Sequence, residues 1–169
     1  MSNQQIENLE VCYKTANMLK AQFPNEVMKI EKNTIIEYSK KNSRLLRSDH
    51  DRGNMSGCYA YFTRAKPHRI VVRQKTLKEG KLYSTYGGSH SLAIVPRYKK
   101  YVDLYRHTVH GGSRARILIH GNWAFVELIC HELAHHRTKG HAKGFKVKYH
   151  RFLNHMTNKV LSGEFYNES

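Results

Sequence analysis

Residues 131–141 read HELAHHRTKGH, a run whose side chains could bind a metal ion and move a proton. Successive helical residues turn about 100° and rise about 1.5 Å, so His131 and His135 fall about 40° apart on one face, one turn separated. Two imidazoles at that spacing can reach a single cation. Glu132 lies about 60° from His135, beside such a cation and not on it, where a carboxylate can take a proton from metal-bound water. Gly140 lets the chain reverse after the helix and bring His141 back as a third ligand. Three protein ligands leave one position open for water, as in a catalytic zinc site and unlike a closed structural one. The expectation is one Zn2+ per chain on His131, His135 and His141, with Glu132 as the catalytic general base. The alternative is a set of surface histidines on a basic helix.

HExxH alone is a short pattern, and this chain has 12 histidines. Shuffling the same residues would give HExxH with a further histidine six positions on in only about 0.3% of cases. The flanking helix adds to this. Ala124 and Leu128 share the histidine side, whereas Trp123, Val126, Ile129, Cys130, Leu133 and Ala134 occupy the opposite arc and predict a core face. Cys130 points about 100° from His131 and reads as a packed thiol. Glu127 lies one turn before His131, about 40° from it, and reads either as a group orienting a ligand imidazole or as an exposed glutamate. No oxyanion stabiliser is identifiable; Tyr149, His150, His155 and Tyr166 are chemically able but read as surface or packing residues.

The segment CHELAHHRTKGHAKGF resembles the HExxH-x5-H-xxx-F stretch of zincin metallopeptidases, especially the WLM-type and YgjP-like groups and more loosely the SprT/Spartan-like proteases. The likeness covers about residues 122–152. It implies a compact zincin-like domain that hydrolyses peptide bonds, with His131, His135 and His141 on zinc, Glu132 as base and Phe145 packed in the next helix. Thr138 stands where metzincins carry a glycine, and no Met-turn follows. The likeness is therefore to the compact HExxH-x5-H group.

The elements that must position these residues follow from periodicity. Residues 3–22 predict a helix with Ile6, Leu9, Tyr13, Ala16 and Leu19 or the Lys20 stem along one stripe. Thr34 followed by Glu37 suggests a capping box opening a second helix to about Leu46, and 48–57 reads as a loop. Between 58 and 120 the pattern becomes that of strands: 58–63 with 69–74 around Pro67, 82–86 with 91–95 around Gly87-Gly88, and 98–109 with 114–120 around Gly111-Gly112. Helices return at 123–137 and 142–161, the latter with Phe145, Tyr149, Phe152, Leu153, Met156 and Val160 as a core stripe. The plan is one α+β domain over 1–169: helical 1–47, a strand-rich 58–120 with a small, mostly antiparallel sheet, and helices across 122–161. Strand 114–120, just before the HExxH helix, is the expected edge for holding an extended peptide by strand addition, with Arg116, Leu118 and His120 on one face.

At 169 residues and a formal charge of +16, the chain is about one domain long and should attract polyanions. Tyr98, Tyr101 and Tyr105 interleave with Arg97, Lys99 and Lys100, as base-stacking groups would. Non-specific binding of DNA or RNA phosphates is the expectation; no RNP, zinc-finger or phosphate-loop signature supports sequence-specific readout. Lys143, Lys146, Lys148 and Arg151 predict a solvated or polyanion-facing side of the last helix. The second reading is thus a basic nucleic-acid-binding module with a structural or inactive zinc site. Three cysteines without a CxxC pair, no apolar run of about 18 residues and no leader-like start predict a cytoplasmic protein without membrane contact.

Overall fold

A computed structural model describes residues 2–45, 59–64, 66–79, 81–84, 103–108, 115–120, 122–138, 140 and 143–165. Helix α1 (Asn3–Gln22) begins at Ser2, whose hydroxyl accepts from the Gln5 backbone N–H while the Gln5 side chain accepts from the Ser2 N–H. That reciprocal pair satisfies two of the four N–H groups a helix start leaves open. The buried face of α1 is Gln5, Asn8, Cys12, Thr15, Ala16 and Leu19. The expected stripe is therefore rotated: Ile6 is 41% exposed. The polar members of the buried face carry their own hydrogen bonds. Asn8 donates to Leu77 O, and Thr15 donates back to Val11 O. Hydrogen-bonded in this way, they can share the face with Cys12 and Leu19.

The expected helix after Thr34 is a strand. Strand β1 (Ile35–Tyr38) pairs in parallel with β3 (Ile70–Arg73), and β2 (Ala60–Phe62) pairs antiparallel with β3 on its other side. Thr34 caps nothing here; its hydroxyl accepts from the Glu31 N–H. The two β-branched residues Ile35 and Ile36 then suit a pleated surface better than a helix. The 58–63 and 69–74 runs do form a hairpin, through a turn holding the cis Lys66–Pro67 peptide. A short helix, α2 (Gln74–Glu79), follows β3 directly.

A second sheet has the order β4 (Lys81–Ser84), β6 (Ala115–His120), β5 (Asp103–Thr108), both pairings antiparallel. The 98–109 with 114–120 pair is thus present as β5 and β6. Strand β4 pairs with β6; its expected partner at 91–95, like the 48–57 loop, lies outside the described residues. The mostly antiparallel expectation holds for this sheet, while the first sheet is mixed.

Helices α3 (Asn122–Ala134) and α4 (Lys143–Leu161) complete an α+β fold. Trp123, Phe125, Val126, Ile129, Cys130 and Leu133 of α3 are fully buried with Cys12, Ala16 and Leu19 of α1, Ile35, Ile70 and Val72 of the first sheet, and Phe145, Tyr149, Phe152 and Met156 of α4. Removing such large apolar side chains from water is worth about 1.5–3 kcal/mol each. Among the described residues no helix is long and apolar enough to cross a membrane.

Candidate metal and proton-transfer site

Helix α3 is buried on every side, not on one. Ala124 and Leu128, on the histidine side, are 0% and 4% exposed, and Glu127 is 2% exposed. On that side partial exposure comes only at the last turn, at His131 and His135. An all-round apolar helix is a central helix, and this one fixes its C-terminal histidines from within the core.

The helix also ends earlier than its periodicity predicts. After Ala134 the chain tightens: His135 N–H donates to Glu132 O at 3.1 Å, and His136 N–H donates to Leu133 O at 3.2 Å. Such three-residue bonds close a helix end that would otherwise leave carbonyls open. The Thr138 hydroxyl donates to Ala134 O, and Lys148 Nζ donates to His136 O at 2.7 Å. Arg137 then takes φ +66°, and Gly140 takes φ +67°. A left-handed residue is the usual helix terminator, and Gly140 adopts it without a Cβ penalty.

His131 Nε2 and His135 Nε2 face each other 3.3 Å apart. Two nitrogens bound tetrahedrally at 2.0–2.1 Å from one zinc ion stand about 3.3–3.4 Å apart, so the pair already has the spacing of one edge of a zinc coordination sphere. Neutral imidazole nitrogens are also the donor type that zinc prefers. Glu132 Oε1 is 4.0 Å from His131 Nε2, too far to share its proton directly and close enough to reach the same space through one water. Glu132 is 6% exposed. Burial, with the nearby Glu127 charge adding to it, pushes its carboxyl up to about 8. A carboxyl so placed is mostly protonated at neutral pH, and a cation beside it would draw it back toward the ionised form that a general base needs.

Glu127 is neither exposed nor free. Tyr149 Oη, from α4, donates to Glu127 Oε1. Burial pushes Glu127 up to about 7, and the tyrosine hydrogen bond opposes that rise. Tyr149 stands edge-on to His131 with centroids 5.6 Å apart, and Phe145 stacks on His135 at 4.5 Å and 23°. Phe145 is 1% exposed, as the resemblance implied. Periodicity placed both aromatics on a core stripe; it gave no sign that this stripe meets the histidines.

His141, the expected third ligand, lies outside the described residues, as does Tyr166. Among the described residues no group of three or more His, Cys, Asp or Glu side chains converges on a metal-sized point. Cys130 is a buried free thiol whose pKa burial raises well above the ordinary value, consistent with packing. Arg116, Leu118 and His120 lie in β6, and the strand-addition role expected of them does not hold for Leu118 and His120. Over Ile117–His120, β6 is hydrogen-bonded to β4 on one side and β5 on the other, so that stretch has no open edge for a peptide backbone; Arg116 pairs with His107 of β5. Lys148 departs from expectation: it is half-buried at the α3 terminus. Lys143, Lys146 and Arg151 are exposed as expected, and Arg151 also forms a two-pronged pair with Glu26 at 2.7 and 2.8 Å. Comparison of the chain with protein-family models, curated proteins and solved structures returns no match.

Proposed function

We propose that this chain is a zinc-dependent peptidase with a zincin-like active helix, and that its positive charge concentrates it on nucleic acid and the proteins bound there. The observation that carries the reading is the 3.3 Å convergence of His131 and His135 Nε2, with the Glu132 carboxyl 4.0 Å from the first of them. His141, six residues beyond His135 and just past the left-handed Gly140, is the third ligand in this reading. A Zn2+ ion held there would supply Lewis-acid activation of water and of a substrate carbonyl.

The chain's own residues do the rest. Glu132 takes the proton from the attacking water and returns it to the leaving amine. Its burial keeps that proton transfer away from bulk solvent. Ala124, Leu128 and Glu127 are buried, and in this reading a substrate approaches the partly exposed His131 and His135 of the last turn. Zinc content and hydrolysis of an unfolded protein substrate test the reading together. One zinc per chain, with activity in the parent that falls about 10²- to 10⁴-fold in Glu132→Gln, supports it; a Glu132→Gln variant as active as the parent overturns the general-base role.

The formal charge of +16 favours a second reading, a nucleic-acid-binding module whose zinc is structural or inactive. Chelation separates the two. Loss of the fold on metal removal supports a structural ion, and a folded, inactive chain supports the peptidase.

A further inference from the structure

We propose that Phe145 and Tyr149 are positioning residues for the two imidazoles, setting the ring orientations that a metal ion would otherwise have to impose; this rests on the zinc reading above. The residues lie one turn apart on α4, across from the last turn of α3. Phe145 meets both histidines: it stacks on His135 at 4.5 Å and 23°, and stands edge-on to His131 at 5.0 Å and 68°. Tyr149 stands edge-on to His131 at 5.6 Å and 71°, and is parallel to Phe145 within 14°. Both are essentially fully buried, at 1% and 0% exposure. Neither ring can swing without opening the core.

Tyr149 is fixed at its far end as well. Its hydroxyl donates to Glu127, one helical turn before His131 on α3. The arrangement is therefore a closed lattice across two helices: Glu127 holds Tyr149, Tyr149 and Phe145 stack, and their faces and edges meet His131 and His135. Stacked and edge-on contacts are the favoured aromatic geometries and discriminate between ring orientations. Ordering a free side chain at a binding site costs conformational entropy, and groups ordered in advance bind more tightly for that reason. Groups that orient metal-ligating histidines characteristically change metal affinity about 10- to 100-fold when removed.

The test compares Phe145→Leu with Phe152→Leu in the full chain. Both substitutions delete a buried ring from α4, but Phe152 packs against Phe23, with centroids 5.1 Å apart. Zn2+ affinity is read by competition with a chromophoric chelator, and ligand geometry by the visible spectrum of the Co2+ form. Phe145→Leu is expected to bind Zn2+ about 10- to 100-fold more weakly and to distort the Co2+ spectrum, with Phe152→Leu within about twofold of the parent. Phe145→Met, which keeps volume without a flat ring, serves if Phe145→Leu does not fold and should show the same loss. Equal affinities in the Phe145 and Phe152 variants overturn the positioning role while leaving the zinc reading intact. A parent chain that binds no zinc removes the zinc reading itself.

Discussion

Tyr149 Oη donates to Glu127 Oε1 in the core, joining α4 to α3 one turn before His131. The carboxyl it touches has its pKa raised by burial from 4.5 to about 7. A carboxyl held above its unfolded value favours the folded state while protonated. That contribution is fully present below about pH 4.5 and is lost as the pH climbs to about 7. Glu127→Gln keeps an acceptor for Tyr149 and cannot ionise. With metal chelated, the parent should lose up to about 3 kcal/mol relative to this variant between pH 4.5 and pH 7. Urea unfolding of both chains at pH 5 and pH 8 measures the difference, and parallel stabilities would contradict a raised Glu127.

Replacing Glu132 with Gln removes the proton acceptor and leaves both imidazoles in place. Zinc content should be unchanged, and peptidase turnover should fall about 10²- to 10⁴-fold. His131→Ala or His135→Ala should lose the metal and the activity together. Metal analysis beside a peptide-release assay distinguishes these outcomes.

Gly140 adopts φ +67° with no atom within 4 Å of where a Cβ would lie. Gly140→Ala therefore meets backbone strain alone, about 1–2 kcal/mol for an L-residue in the left-handed region. Thermal unfolding should register that loss, and zinc affinity should fall if His141 depends on the reversal. A melting temperature equal to the parent's would show that the turn relaxes freely.

The charge argument predicts that duplex binding weakens linearly on a log–log plot against salt. Lys143 and Lys146 are exposed on α4, whereas Lys148 and Arg151 are committed to His136 O and Glu26. If the α4 face meets phosphates, Lys143→Ala with Lys146→Ala should reduce the slope by about two. An unchanged slope places nucleic acid elsewhere on the chain, and a flat parent plot rules out phosphate contact.

The sequence was most legible where one element decides the pattern. The α4 stripe from Phe145 to Val160, the HExxH helix and the hairpin around Pro67 each follow from local periodicity and turn chemistry. It was least legible where distant partners decide. Thr34 and Glu37 match a capping box, yet the partners of Ile35 and Ile36 are Ile70 and Val71, about 35 residues away, and that pairing makes β1 a strand. The centre of the second sheet was unreadable for the same reason: alternation in 115–120 is identical for an edge and a middle strand, and only β4 decides between them. Glu127 was ambiguous because a glutamate amid the apolar run WAFVELIC carries no sign that Tyr149 waits 22 residues on to receive it.

Diffraction recorded at the zinc absorption edge bears most directly on the two converging imidazoles. A single anomalous peak about 2.0–2.1 Å from both His131 and His135 Nε2, with Glu132 outside the coordination sphere, is the predicted result. No peak there after incubation with equimolar Zn2+, with the two rings bonded only to each other, would contradict it.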